Sequence, residues 1–332
     1  MCLLMFKKLV FKATLLLVCA AACHPSPVAQ KRRGSSARPP AAADAGGAPV
    51  AAVTPVVLAE LEDRAVKESS GIVASRNSPG VFWTHNDSGD DPLVYAFDRE
   101  GRSRGVWRVE GARAQDWEDI ACGPGPESGR SYLYVGDIGD NGGKRDSIVV
   151  YRFAEPSVGP AGNESSRKAP RATATAEAIR LKYPDGAHNA EALMVHPASG
   201  DIYVVTKGAG EAGVYRLSAP ASATEVNTLT RVATLHGPDF FGALITGGDI
   251  SPDGRRVALC DYANGYELRL PDKDAQSFDD IWQQTPLVIS LGARRQGEAV
   301  CYRPDGAALL ATSEGSVCPL IEVMLPAQER QK

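Results

Sequence analysis

Short apolar runs broken by Gly, Pro, Asn and Asp recur along residues 56–326 with the spacing of β-strands, and no long stretch between them has helical periodicity. The runs group into five similar units. The first opens Glu68-Ser69-Ser70-Gly71-Ile72-Val73, turns at Asn77-Ser78-Pro79-Gly80, and continues through 81–87, 93–97 and 105–109. The second opens Gln115-Asp116-Trp117-Glu118-Asp119-Ile120-Ala121 and continues through 132–137, 147–153 and 176–181, with a Gly/Pro/Ser-rich insertion at 155–173 that reads as a mobile surface loop. The third covers 189–195, 202–206, 214–217 and 229–235; the fourth covers 246–251, 257–260, 266–270 and 287–291, with an insertion at 272–284 spaced like a short helix. The fifth covers 297–302, 308–312 and 320–325 and lacks a fourth strand. One strand is left over at 56–61, ahead of the first unit.

In a ring, that strand can complete the last unit and remove the open edges of a linear array. The pattern therefore predicts an all-β protein: a single five-bladed β-propeller of four-stranded antiparallel blades closed by an N-terminal strand, with six blades as the competing count. The repeat length of roughly 45 to 70 residues fits this better than a sandwich, and the missing helices argue against parallel βαβ units. The domain is expected at 56–326, followed by a short tail at 327–332.

The N-terminus changes the picture. Lys7, Lys8 and Lys12 precede an apolar run at 13–22, which is too short to span a bilayer and has the length of a signal-peptide core. Val18-Cys19-Ala20-Ala21-Ala22-Cys23 resembles a bacterial lipobox, with Ala20 where Leu is usual, so residues 1–23 read as a signal peptide and Cys23 as the lipidated residue. The alternative is a plain secretory signal. Either way the protein is expected to be exported, in the first case anchored to the membrane of the cell envelope. Residues 24–55 are rich in Pro, Ala and Gly with no aromatic residue, which predicts a disordered linker.

Composition adds less. With 36 Lys and Arg against 40 Asp and Glu, the net charge of −4 gives no reason to expect a nucleic-acid polymer as partner. Beyond the signal region the cysteines are Cys122, Cys260, Cys301 and Cys318, too sparse for a disulfide scaffold, without a CxxC pair, and best read as buried free thiols. The chain is expected to act as a monomer.

The candidate chemistry lies on the first strands. Aligned on Ile72, Ile120, Leu193, Ile250 and Val300, the units place Ser70, Glu118, Glu191, Gly248 and Glu298 two positions earlier. First strands line a propeller's channel, so these positions form a ring near one mouth. Carboxylates converging there raise one another's pKa or bind a hard cation, and carboxylate plus hydroxyl suits Ca²⁺, with Asp249 or Thr246 replacing the missing side chain of Gly248. The bland alternative is a solvated polar mouth. Second strands return to the same mouth and end in polar loops: His85-Asn86-Asp87, Asp137 with Asp140 and Asn141, Lys207, Tyr262 and Glu314. Trp117, His188 and Arg295 are expected on the same side, as substrate or ligand contacts. Asp137-Ile138-Gly139-Asp140-Asn141-Gly142 partly imitates a calcium loop, but Ile148 stands where an EF-hand needs its closing Glu.

The order Ser70, Glu118, Glu191, blank, Glu298, with Leu133-Tyr134-Val135-Gly136 and residues 87–95, resembles the soluble calcium-activated apyrases. That family is a five-bladed propeller with one axial Ca²⁺ that hydrolyses nucleoside di- and triphosphates, and the resemblance implies Ser70, Glu118, Glu191 and Glu298 around the ion with Asp87 nearby. The chain departs from it at Gly248, and Asn86-Asp87-Ser88-Gly89-Asp90 stands where that family carries Asp-Asp-Arg-Thr-Gly. It is also similar to exported bacterial phytase-like propellers. WD40 signatures are absent.

Two functions follow as expectations. One is a non-catalytic envelope module in which Ca²⁺ stiffens the ring while the loops hold a small phosphorylated, glycan or protein ligand. The other is a Ca²⁺-dependent phosphohydrolase in which Asp87 or Glu118 takes the proton of a metal-bound water and Lys207 or Arg295 offsets phosphate charge.

Overall fold

The computed structural model describes residues 49–159, 165–237 and 239–326. The signal segment with Cys23, linker residues 24–48 and the tail at 327–332 lie outside the described residues. Among those described, no helix is long and apolar enough to cross a membrane.

Five sheets form, one per sequence unit. Blade 1 is Ser69–Ala74, Val81–Asn86, Leu93–Asp98 and Ser103–Arg108; blade 2 is Trp117–Pro124, Ser131–Asp137, Ile148–Ala154 and Glu177–Lys182. Blade 3 is Ala190–Val195, Ile202–Thr206, Glu211–Leu217 and Thr230–His236; blade 4 is Gly247–Ile250, Arg256–Cys260, Asn264–Arg269 and Leu287–Ser290. Blade 5 takes Ala299–Tyr302, Ala308–Thr312 and Pro319–Met324 from the C-terminal end of the domain, and its fourth strand is Val56–Glu60, antiparallel to Pro319–Met324. The leftover strand closes the ring.

The inner strand of each blade contacts the inner strands of the two next to it, from blade 1 around to blade 5 and back, which gives a closed ring of five. Each of the five hydrophobic clusters is shared between neighbouring blades. Trp83, Trp107 and Trp117 join blades 1 and 2, and Tyr203, Tyr266 and Trp282 join blades 3 and 4. Burying one large apolar side chain is worth about 1.5–3 kcal/mol, so the interfaces between blades hold the ring together more than any single sheet does.

Two expectations need correction. The insertion at 155–173 is tied down where it is described: Glu155 is buried against the first turn of blade 1, and Arg171–Ala172 adds a parallel strand beside Trp107 and Arg108. The last part of the expected linker is also placed. Ala51 donates to the Val288 carbonyl at 2.8 Å and Val288 to that of Pro49 at 2.8 Å, so this segment runs along the outer strand of blade 4. The insertion of blade 4 contains the short 3-10 helix Phe278–Gln283, begun by a capping box between Ser277 and Asp280. All four cysteines of the domain are buried and free.

Candidate metal centre

The aligned position of the first strands carries a backbone feature that alternation alone does not show. In blade 1 the pairing with the second strand skips from Ser69 to Gly71, in blade 2 from Trp117 to Asp119, and in blade 3 from Ala190 to Ala192. Ser70, Glu118 and Glu191 are the skipped residues. A bulge of this kind unpairs one residue and re-aims its side chain. Glu298 stands just ahead of its strand, while Gly248 pairs regularly with Leu259. A side chain at Gly248 would meet Leu259 Cδ2 at 2.8 Å and the Ala258 carbonyl at 3.1 Å, so packing explains the blank in the ring.

Glu118, Glu191 and Glu298 are each buried, and their charges act on one another and on Asp87 and Asp116. They converge on one mouth of the channel. Carboxylate oxygens of Asp87, Asp116 and Glu118 lie within 4.8 Å of one another. Two oxygens on opposite sides of a Ca²⁺ ion at about 2.4 Å are about 4.8 Å apart, so this spacing meets the condition for a single shared ion. Gly139 leaves the room: a Cβ there would fall 2.2 Å from Glu118 Oε1 and 2.4 Å from Asp116 Oδ2.

The electrostatics are those of crowded acids. Burial raises the Glu118 pKa well above the usual carboxylate range, and the charges of Glu191, Asp87, Asp116 and Glu298 push it further. Among the described residues no hydrogen-bond donor reaches its carboxylate. Burial likewise lifts Asp87 to about 7, the Ser88 N–H offsetting part and Glu298, Asp116 and Glu191 adding to it. Asp116 is raised by burial too, against a hydrogen bond from Ser88. Glu191 has a counter-ion, since Lys207 Nζ contacts both of its oxygens at 2.6 Å and also meets the Tyr262 hydroxyl. Glu298 accepts from Gln296 Nε2 at 2.8 Å and shares a hydrogen bond with Glu314, which requires a proton on one of the two carboxyls.

Several expected site residues are not brought to this cluster. Ser70 gives its hydroxyl to the Glu118 carbonyl at 2.7 Å, so it stitches blades 1 and 2. Asp249 faces the opposite end of the channel, its oxygens taken by the N–H groups of Ile250 at 2.9 Å and Tyr302 at 2.8 Å. Trp117 is buried, with its indole N–H on the Arg113 carbonyl at 2.9 Å, and therefore belongs to the core. His85 is buried against Trp117, its Nδ1 2.9 Å from the Asn86 carbonyl, and burial lowers its pKa to about 4. Asn86 holds the preceding loop through the N–H groups of Lys67 and Glu68. Asp137 accepts from Gln115 N–H at 3.1 Å and Arg145 Nη1 at 2.7 Å, and Asp140 caps the N–H groups of Lys144 and Arg145. His188 is engaged with Asp185 and Tyr215. These are the fastenings of loops and strand ends. Asn141, Tyr262 and Arg295 are exposed, and Glu314 is half-buried.

Sequence reasoning passed over three residues. Asp116 completes the triad, Gly139 makes space for it, and Asp119 lies deeper in the channel. Asp119 Oδ1 accepts from its neighbour Ile120 at 2.8 Å, and Oδ2 accepts from Leu193 at 2.9 Å and Gly248 at 3.3 Å, joining blades 2, 3 and 4. The only sequence signal was their place in the Asp116 to Asp119 and Asp137 to Asp140 stretches.

No family model and no curated protein sequence matches the chain. Among solved structures, the hydrazine synthase of Kuenenia stuttgartiensis is similar at 13% identity and a TM-score of 0.40, over 78% of this chain and 72% of that one. Similarity at that level carries no argument about the chemistry here.

Proposed function

We propose that the acidic mouth is a Ca²⁺ centre and that the protein works as a binding module whose ligand meets the ion at that mouth. The observation that carries this reading is the Asp87, Asp116 and Glu118 triad, with oxygens at single-ion spacing around a Glu118 carboxylate that no hydrogen-bond donor among the described residues reaches. A donor set of carboxylates alone favours a hard cation over zinc or copper. Asp87, Asp116 and Glu118 would hold the ion. Glu191 and Glu298 would surround it, and bound Ca²⁺ would add positive charge to that of Lys207, which is taken up by Glu191. Lys207, held by Glu191, and Tyr262 above it form the rim that an oxygen-rich anionic ligand such as a phosphate or acidic glycan would touch. Export and a lipid anchor at Cys23 belong to the same proposal on the N-terminal sequence, and would put the module in the calcium-containing space outside the cytoplasm.

Calorimetric titration of EGTA-treated protein with CaCl₂ tests the reading. One site is expected, with saturation raising Tm by roughly 5 to 10 °C at about a hundredfold excess over Kd. Absence of a heat signal together with an unchanged Tm would remove the proposal.

A second reading has one observation in its favour. Asp87, a member of the triad lifted to about 7, has the basicity of a general base for a water at this mouth. Calcium-dependent release of phosphate from nucleotides or phytate would move the protein to the phosphohydrolases. Ca²⁺ binding without turnover of any of them leaves the binding module.

A further inference from the structure

The other end of the channel holds a cavity of about 660 Å³ to which the metal reading gives no role. That volume is in the range of small-molecule sites, about 300–1,000 Å³. All five blades contribute to it. Val73, Cys122, Ile250 and Tyr302 form its buried floor, where the inner strands end. Its rim is made by the turns from first to second strands, which supply Pro79, Pro197, Pro252 and Pro304. In the sequence these prolines mark turns. Around the cavity they also give an apolar wall of fixed φ that exposes no N–H.

Charge decides what the cavity suits. Three arginines border it, and two are committed: Arg99 to Glu322 at 2.6 Å, and Arg303 to Asp305 at 2.7 Å and Glu322 at 3.0 Å. Arg76 has no carboxylate within ion-pair distance among the described residues. Its main chain is fixed, because its N–H donates to the buried Glu155 at 3.2 Å, and its charge acts on Asp249 and Cys122 in the cavity. Asp249 is already held by two main-chain donors. Burial raises it to about 7 against the charge of Arg76, so near neutral pH it is only partly ionised. A ligand anion therefore meets a guanidinium with no carboxylate at ion-pair distance among the described residues, whereas a ligand cation meets that same guanidinium as a repulsion.

We propose that this cavity binds a small amphipathic organic anion, its apolar body against Val73, Ile250 and the prolines and its carboxylate paired with Arg76. The planar guanidinium suits a carboxylate through two parallel hydrogen bonds. The site is independent of the acidic mouth, since the Asp119 carboxylate and the inner strands lie between them.

The test is calorimetric titration of the purified full chain with phenylbutyrate and with two analogues of the same body, phenylbutanol and phenylbutylamine. The carboxylate is expected to bind with Kd below about 1 mM and the two analogues at least about tenfold more weakly. Arg76→Ala should weaken phenylbutyrate by about tenfold or more with Tm unchanged, because the side chain is exposed, and Arg76→Lys should recover part of the loss. Glu118→Gln and EGTA should leave this binding as it is. The proposal is overturned by no carboxylate binding below about 1 mM, by equal binding of alcohol or amine, by an Arg76→Ala protein that binds as well as the parent, or by loss of binding in Glu118→Gln.

Discussion

The two ends of the channel are built from the same five strands and have opposite chemistry. At one end Glu118, Glu191 and Glu298 crowd together with Asp87 and Asp116; at the other the strands finish in Val73, Cys122, Ile250 and Tyr302 beneath a rim of prolines. Backbone geometry differs as well: at the acidic end three strands bulge at the aligned position and unpair it, whereas at the other end pairing is regular and four of the strands reach a proline two residues beyond Cys122, Val195, Ile250 and Tyr302. A propeller can thus hold a charged and an apolar site on one axis, provided something seals the passage between them. Asp119 takes that part here.

The sharpest way to break this comparison is to remove the seal. Asp119→Asn would set an amide N–H either against the Ile120 N–H or against those of Leu193 and Gly248, and is expected to destabilise the fold by about 3 kcal/mol in urea titrations, with or without calcium. A loss seen only without calcium would tie Asp119 to the metal end instead. Next in size is Lys207→Met, which leaves Glu191 without its counter-ion. The metal-free protein should lose up to about 3 kcal/mol, while Ca²⁺ binding tightens because Glu191 no longer answers to an ammonium.

Glu118→Gln has two effects of opposite sign. Calorimetry should show Ca²⁺ affinity falling by about a hundredfold, roughly 2.7 kcal/mol, yet at a pH above the raised Glu118 pKa the metal-free protein should melt a few degrees higher, because a repelled buried charge is gone. A fall in metal-free Tm would mean that the Glu118 charge has a protein partner. Gly139→Ala works on the same pair from outside. Its Cβ would press on Glu118 Oε1 and Asp116 Oδ2, and Ca²⁺ affinity should drop by about tenfold with little change in metal-free Tm.

The smallest effect is the pH profile. Asp87 is lifted by burial to about 7, so the native state holds its proton more tightly than the unfolded chain does. Stability from this group is full below the unfolded pKa, near 4, and is lost as pH rises to about 7. Glu118, Glu191 and Glu298 are raised as well and act in the same direction. Metal-free Tm should therefore fall between about pH 4 and pH 8, and saturating Ca²⁺ should flatten or reverse the slope because it displaces those protons.

Local information carried the fold. Short apolar runs such as Leu193 to Val195 and Val257 to Cys260, with Gly and Pro turns between them, specify strands and hairpins without reference to the rest of the chain. The leftover strand at Val56–Glu60 fixed the closure by simple counting. The convergence of the three glutamates was also legible, because equivalent positions in a cyclic repeat must meet near the axis. What each side chain does there was not. A bulge is a property of two paired strands, so nothing in Trp117-Glu118-Asp119 alone says which residue is skipped. Trp117 reads as a ligand contact because it stands at the start of a first strand, on the side of the mouth, and only the fit of blade 1 against blade 2 sends the indole inward. Asp116, Gly139 and Asp119 acquired their roles when loops and blades distant in sequence came within a few ångströms, and the seven residues from Pro49 to Pro55 were placed by the outer strand of blade 4. Strand formation depends on neighbours along the chain, which the sequence displays. Charge crowding, packing clearance and blade contacts depend on neighbours in space, and those existed only once the ring had closed.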